Sequence, residues 1–259
     1  MPELSDVEGY RRYFARHGLG KPVAGVDVLD RELLRNATPQ ALSRALEGRE
    51  FERASRHGKW LIAETGRPEL LLHFGMTGLL HWSRDPADRH IHDRLVLRFD
   101  DGELRYRNMR RFGGMWLARD RSGRDLVTGP LGPDAMDVDR ELFGVLMRSR
   151  RGQLKPALMD QTLMAGLGNL LCDEILWRAH IHPRRQIGRL RKRDVDRLHD
   201  SMTSVLREAN RHGRIPPIEG WLTGARDTRD PHCPRCGARL RKEQVGGRTT
   251  AWCPREQRL

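Results

Sequence analysis

Three cysteines near the C-terminus have the spacing of a metal site. Cys233 and Cys236 flank a Pro-Arg pair, and sixteen residues separate Cys236 from Cys253. Thiolates at positions i and i+3 of a tight turn can reach one ion, and two such turns facing each other across a hairpin bind zinc tetrahedrally. Glu256 stands at the fourth ligand position, and carboxylate oxygen is also a zinc ligand. The sequence therefore predicts zinc bound by Cys233, Cys236, Cys253 and Glu256; the alternative is a metal-free hairpin held by packing.

The N-terminus carries a second chemical signal. Pro2 has a small side chain, so removal of Met1 is expected and exposes a secondary amine, with Glu3 immediately after it. A helix that begins here disfavours the protonated amine, which leaves more of it free to attack an electrophile. The adjacent carboxyl can donate or shuttle protons. Proline at the first turn of a helix is also common for conformational reasons alone.

A third signal is the sequence AGLGN at residues 165–169. Gly166 and Gly168 allow a ligand to approach the backbone, and Asn169 opens a predicted helix. The exposed N–H groups and the dipole of that helix suit a phosphate. Taken alone, a glycine-rich turn between two helices is more often only a turn.

The charge balance favours a polyanionic partner. The 259 residues include 48 Lys and Arg against 35 Asp and Glu, a net charge of +13. Each phosphate that such a surface neutralises releases a counterion and adds affinity, although a generally basic protein would have the same composition. The chain has neither an apolar run of about 18 residues nor a signal-peptide core, so we expect a cytoplasmic protein without a membrane partner.

The elements that must position these residues change type along the chain. Residues 3–16 place apolar side chains on one helical face, and residues 22–128 contain short apolar runs typical of an antiparallel sandwich or barrel. Helical patterns fill residues 139–211, and a cysteine-bearing hairpin closes the chain. The pattern predicts an α+β protein with more than one domain.

Eight segments, in this order, resemble the formamidopyrimidine-DNA glycosylase and endonuclease VIII family over nearly the whole chain. They are MPELSDVE, HGKWL, HFGMTG, MRRFGG, GPLGPDAM, LKPALMDQ, AGLGN followed by DEIL, and GGRTTAWCP. The resemblance implies an N-terminal β-sandwich with flanking helices (residues 1–130), a helix-two-turns-helix domain (131–215), and a linker with a β-hairpin zinc finger (216–259). It also implies DNA in a cleft between domains.

The resemblance assigns four catalytic residues. Pro2 would form a Schiff base with the sugar, and Glu3 would donate the proton for glycosidic cleavage. Lys59 would assist β-elimination, and Arg248 would grip the phosphate beside the lesion and assist δ-elimination. Without the resemblance, Lys59 would be interpreted as a solvated lysine at the end of a strand.

Eight further residues are assigned to DNA binding. Met76, Arg110 and Phe112 resemble the wedge that fills the gap left by a flipped nucleotide. Core packing is the alternative for Met76 and Phe112. The residues that resemble backbone contacts are His90, Arg150, Arg151, Lys155 and Asn169.

Four departures from the family pattern bear on the function. Ser5 replaces a proline, Asn108-Met109 replaces an Asp-Pro pair, and Glu256 replaces a cysteine. Residues 210–232 lack the GGTTL segment and the long lid of members specific for 8-oxoguanine. The short, proline-stiffened RIPPIEGWL agrees with an open pocket.

These features predict a monomeric, bifunctional DNA glycosylase and abasic-site lyase of base excision repair. We expect it to act on oxidised, ring-opened or bulky bases in damaged double-stranded DNA, including abasic or single-stranded sites, in the bacterial cytoplasm at the nucleoid. One alternative is a silent lesion-binding protein of the same fold, for which the retained amine would have no use. Another is an RNA-binding zinc protein, which leaves the N-terminus and the wedge unexplained.

Overall fold

The computed structural model describes residues 2–216 and 218–259, which form two compact units. The β unit contains Pro2 and Asp6–Pro130. The helical unit contains Glu3–Ser5 and Leu131–Leu259.

The β unit contains two antiparallel four-stranded sheets. The first has the order β1-β6-β7-β5 and the second β2-β3-β4-β8. The strands are β1 (Gly25–Val28), β2 (Arg53–His57), β3 (Trp60–Glu64), β4 (Glu69–His73), β5 (Gly78–Ser83), β6 (Asp93–Phe99), β7 (Gly102–Asn108) and β8 (Gly114–Ala118). The apolar runs of the sequence predict seven of these. β2 was not predicted, because RASRH has no apolar run and becomes a strand by pairing with β3.

Apolar side chains from both sheets form one core, so the sheets pack as a sandwich. Leu61 and Leu72 of the second sheet share a buried cluster with Leu95, Leu97 and Leu104 of the first. The helices of this unit are α1 (Leu4–Gly18), α2 (Pro39–Leu46) and α3 (Arg121–Thr128), with a 3-10 turn at Arg31–Leu33. This arrangement confirms the β-sandwich with flanking helices.

The helical unit is built around one buried helix. Its helices are α4 (Arg140–Arg148), α5 (Leu154–Leu158), α6 (Asn169–Arg178), α7 (Lys192–His212) and α8 (Leu222–Ala225), with a 3-10 turn at Ile187–Arg189. Every residue of α6 from Leu171 to Trp177 is buried. α5 is shorter than the helix that the pattern KPALMDQTLM (residues 155–164) predicts, because the Asp160 side chain accepts hydrogen bonds from Thr162 and forms a turn instead.

A two-stranded hairpin completes the helical unit. It pairs β9 (Arg241–Val245) with β10 (Arg248–Trp252), and its turn is Gly246-Gly247. Both glycines have positive φ, 59° and 73°, the backbone that a two-residue turn between twisted strands requires. Among the helices of the described residues, none is long and apolar enough to cross a membrane.

Candidate active site and nucleic-acid interface

The Glu3 carboxylate binds the N-terminus of α6. Oε2 accepts hydrogen bonds from the N–H groups of Gly168 (2.8 Å) and Leu171 (3.2 Å), and Oε1 accepts one from Leu170 (2.7 Å). Glu3 is fully buried. Three donors and the positive end of the helix dipole orient this carboxylate and stabilise its negative charge.

The glycines of AGLGN are required by this contact. A Cβ on Gly168 would lie 2.5 Å from Cδ of Glu3, and one on Gly166 would lie 2.4 Å from Cδ1 of Leu4. The sequence indicated a phosphate at this turn. In the structure the anion at the helix N-terminus is instead the Glu3 carboxylate, an interaction that only the fold could reveal.

Pro2 directly precedes this anchored carboxylate. It is partly exposed, and α1 begins two residues later at Leu4. Because Glu3 is held by three hydrogen bonds, the backbone next to Pro2 is held as well. The secondary amine that removal of Met1 would expose therefore belongs to the residue next to the buried carboxylate.

Lys59 lies in the two-residue turn between β2 and β3, where Gly58 has a φ of 55°. Lys59 is partly exposed, and its positive charge is close enough to His73, at the end of β4, to lower the pKa of that ring. Burial, together with the Lys59 charge, lowers the pKa of His73 to about 4, so its ring is neutral at pH 7. Nδ1 accepts the N–H of Gly75 at 3.2 Å, which places the ring proton on Nε2. His73 stands in the segment HFGMTG but was not among the predicted site residues.

The three predicted wedge residues lie on two loops that touch each other. Met76 is in the β4–β5 loop, and Arg110 and Phe112 are in the β7–β8 loop. Met76 is 38% exposed and Phe112 50%, so neither is a core residue. The Arg110 guanidinium lies 5.1 Å from the Phe112 ring centroid. Exposed apolar side chains together on a strongly cationic chain mark an interaction surface.

Asn108 organises these loops from inside the β unit. Its Nδ2 donates to Phe112 O at 2.7 Å, and its Oδ1 accepts the N–H of Arg111 at 3.0 Å. The loops also meet at Gly75, where a Cβ would lie 1.6 Å from Phe112 O. The replacement of Asp-Pro by Asn108-Met109 therefore leaves a buried amide that satisfies the loop backbone.

The residues predicted to contact the DNA backbone differ in their surroundings. His90 is exposed, and its Nδ1 accepts the N–H of His92. Arg150 donates to Thr162 and pairs with Asp160 at 3.0 Å, whereas Arg151 is exposed.

Lys155 and Asn169 belong to a connected network beneath β10. Lys155 is fully buried and donates to Asn169 Oδ1 at 2.6 Å, and Asn169 Nδ2 donates to Thr249 O at 2.9 Å. Arg248, at the start of β10, is exposed. The network also includes Asp173 and Arg226, which the sequence analysis missed. The available signal was an acidic residue inside the apolar helical pattern NLLCDEILW.

The three tail cysteines converge as a zinc site requires. Their Sγ atoms lie within 4.8 Å of one another, and those of Cys236 and Cys253 are 3.5 Å apart. Thiolates about 2.3 Å from one zinc ion would be about 3.8 Å apart, so the donor set fits the metal. Trp177 Nε1 also points at Cys233 Sγ at 3.4 Å. The hairpin is thus a zinc-binding module with three sulfur ligands.

The Glu256 carboxylate lies within ion-pair distance of Arg235 and of the titratable ring of His180. Its Oε2 lies 3.2 Å from a guanidinium nitrogen of Arg235 and 2.9 Å from Nδ1 of His180. The metal cluster found among the described residues contains the cysteines without Glu256. Its role as the fourth ligand stays a prediction.

Comparisons with known proteins agree over the full length of the chain. Residues 1–115 match the formamidopyrimidine-DNA glycosylase N-terminal domain, residues 131–216 the H2TH domain of the same proteins, and residues 232–255 the zinc finger found in FPG and IleRS. The formamidopyrimidine-DNA glycosylase of Lactococcus lactis is 32% identical, with 98% of each chain covered. The enzyme of Symbiobacterium thermophilum is 34% identical, covering 99% of this chain and 89% of the relative.

Solved structures give the same result. The Lactococcus lactis enzyme, bound non-covalently to DNA containing an abasic site, has a TM-score of 0.87 at 32% identity, with both chains fully covered. The same enzyme in complex with DNA containing N7-benzyl-Fapy-dG has a TM-score of 0.89 at the same identity and coverage. With three matching domain models in the order found in these enzymes, the chain belongs to the formamidopyrimidine-DNA glycosylase family.

Proposed function

We propose that the protein removes damaged bases from DNA in base excision repair and then cuts the strand at the abasic site. The observation that carries this proposal is that three backbone N–H groups hold the carboxylate of Glu3. Glu3 is the residue that follows Pro2 in the chain. Family membership and the DNA-bound relatives support it. A protein that only binds lesions needs neither a free prolyl amine nor a positioned carboxylate.

Pro2 acts as the nucleophile once Met1 is removed. Its secondary amine attacks C1′ of the damaged nucleotide, the glycosidic bond breaks, and the base leaves with a proton. Glu3 delivers that proton. Because its backbone hydrogen bonds stabilise the anion, Glu3 must first take up a proton, and the prolyl ammonium one residue away is a source.

The C1′–O4′ bond of the sugar then opens, O4′ takes up the proton that the attacking amine releases, and an iminium forms between Pro2 and C1′. Strand cleavage follows from this iminium. This electron sink makes the C2′ proton acidic, so its removal expels the 3′ phosphate and a second elimination expels the 5′ phosphate. We assign assistance of the first elimination to Lys59, with the neutral His73 ring as its neighbour. Arg248 neutralises the phosphate in the second.

DNA binding uses the exposed residues of both units. Met76, Arg110 and Phe112 fill the gap left by the flipped nucleotide. The backbone contacts are His90, Arg150, Arg151, Asn169 and Lys155, the last acting through Asn169 because it is buried.

The functional division of the chain is into residues 1–130, 131–215 and 216–259. The connection between α7, which ends at His212, and α8, which begins at Leu222, is short, and we infer that the substrates are oxidised, ring-opened or bulky bases. One residue of this connection, Pro217, lies outside the described residues.

We place the protein in the cytoplasm at the bacterial nucleoid.

Borohydride trapping tests the proposal directly. Reduction in the presence of abasic-site DNA should yield a covalent adduct, which mass spectrometry should locate on the N-terminal peptide that begins at Pro2. A protein that retains Met1 provides the matched control and should give no adduct. An adduct on Lys59 would overturn the assignment of the nucleophile. Binding of lesion DNA without adduct or product would favour the silent binder.

A further inference from the structure

The helical unit contains a buried cluster of three charged side chains. Lys155 Nζ lies 2.6 Å from Oδ1 of Asp173, and Arg226 donates to Oδ2 of the same carboxylate. The side chains of Lys155 and Asp173 are fully buried, and that of Arg226 is 4% exposed. They come from three elements, because Lys155 is on α5, Asp173 is on α6 and Arg226 directly follows α8.

Such a cluster is poor evidence for stability alone. Desolvation of buried charges offsets much of their attraction, and well-packed apolar side chains often serve the fold equally well. The second cation, Arg226, is balanced by the exposed Asp227, 3.4 Å away, so the buried part of the cluster has two cations and one anion. Its retention is better explained by what the charged groups hold in place.

The groups held in place are the residues that follow Arg248. Thr249 O accepts hydrogen bonds from Asn169 (2.9 Å) and Arg226 (3.2 Å). The Thr250 hydroxyl accepts from Lys155 at 2.6 Å and donates to the carbonyl oxygen of Arg248 itself at 3.0 Å. The N–H of Ala251 donates to Asp173 at 3.0 Å. Three consecutive residues of β10 are therefore tied to the cluster.

We propose that Arg226 is a positioning residue for Arg248 in the second elimination, a role that rests on the proposed function. Arg226 crosses from the connection after α8 to both the Asp173 carboxylate and the Thr249 carbonyl. The Arg248 guanidinium is exposed at the end of a hairpin with a Gly-Gly turn, so its reach depends on how firmly the backbone is held. An electrostatic donor assists a leaving phosphate only when it is already in place as charge develops.

Arg226→Gln is the informative variant. It leaves Lys155 paired with Asp173, so no buried charge loses its only partner, and the fold should survive. Arg229→Gln, an exposed arginine three residues later, is the matched control. On DNA with a preformed abasic site, the ratio of δ- to β-elimination product should fall roughly tenfold, less than the roughly 100- to 1000-fold that removal of a direct donor costs. The control should leave that ratio unchanged.

A double-mutant cycle separates positioning from folding. In an Arg248→Ala background, Arg226→Gln should have no further effect on the product ratio, because both changes act through one guanidinium. Thr250→Val, which removes the hydroxyl that links Lys155 to Arg248 O, should lower the ratio in the same direction. Additive effects in the cycle, or equal slowing of both eliminations, would overturn the inference. Absence of cleavage by the unmodified protein would instead contradict the proposed function.

Discussion

The two loops that carry Met76 and Phe112 are held differently from the hairpin that carries Arg248. In the β unit, the fully buried contacts of the loops are neutral: the Asn108 amide bonds to loop backbone, and Gly75 permits a close approach. An ion pair of this region joins Asp30 to Arg111 at 2.9 Å, and the arginine side chain is half-exposed. In the helical unit, the hairpin is tied to the buried charges of Asp173 and Arg226.

The difference corresponds to the kind of group each region presents. Beside Arg110, the loops present the apolar side chains of Met76 and Phe112, whose contact with stacked bases tolerates small shifts because dispersion is not directional. The hairpin presents a guanidinium, whose value depends on its distance from a phosphate. The charged network below the hairpin therefore restricts the backbone at Arg248, whose interaction with a phosphate depends on distance.

The largest effect is expected at the carboxylate that anchors the N-terminus to α6. Glu3→Gln should lower base excision by roughly 100- to 10,000-fold, the usual contribution of general acid catalysis. Cleavage of a preformed abasic site should persist in part, because the iminium needs Pro2 rather than an acid at the base. Single-turnover assays on both substrates measure the two steps. Equal loss of both would mean that Glu3 serves the fold or the amine.

Substitutions at Asp173 and at Asn108 should lower the free energy of unfolding by different amounts. Asp173→Asn leaves Lys155 and Arg226 without their counter-charge and should lower the free energy of unfolding by about 3–5 kcal/mol. Asn108→Ala leaves neutral loop groups unsatisfied and should cost about 1–3 kcal/mol. Denaturant titrations give both values. A larger loss for Asn108→Ala would reverse the comparison.

DNA binding should separate the exposed groups themselves. Met76→Ala should weaken binding to lesion DNA more than binding to undamaged DNA, because the gap that Met76 fills exists only after the nucleotide has flipped. The loss should not exceed about 1.5–3 kcal/mol, the contribution of burying a methionine side chain. Arg248→Ala should weaken both and flatten the salt dependence by about one counterion. Titrations at several salt concentrations distinguish the two. Unchanged lesion affinity and turnover in Met76→Ala would return Met76 to an ordinary surface residue.

The smallest effect is expected at the zinc site that supports the hairpin. With three thiolates and Glu256 at the fourth position, zinc should be lost to chelators more readily than from a four-cysteine site, with weaker DNA binding as a result. Glu256→Cys should slow the loss, and Glu256→Gln is the control that keeps the side-chain size. Metal content before and after chelation measures this. Stoichiometric zinc that survives a strong chelator would refute the weakened site, and a metal-free protein with full activity would show that packing holds the finger.

The sequence by itself determined the family and most of the elements. The strands β4 and β6 are apolar runs, and α6 and α7 follow the predicted helical patterns, because burial of one face or of a whole segment leaves a local record. The cysteine spacing likewise predicts the convergence of three sulfurs, since Cys233 and Cys236 share a tight turn. The site residues came from motifs, and their roles stay predictions.

The tertiary structure alone decided what those residues contact. No local pattern places Glu3 on the N-terminus of a helix 165 residues later, or joins Lys155 to Thr250 across 95 residues. Strand β2 likewise depends on its pairing with β3, and the neutral state of His73 depends on burial and on the charge of Lys59. Hydrogen bonds and charge interactions act over a few ångströms, so they are specified only once folding has brought the partners together.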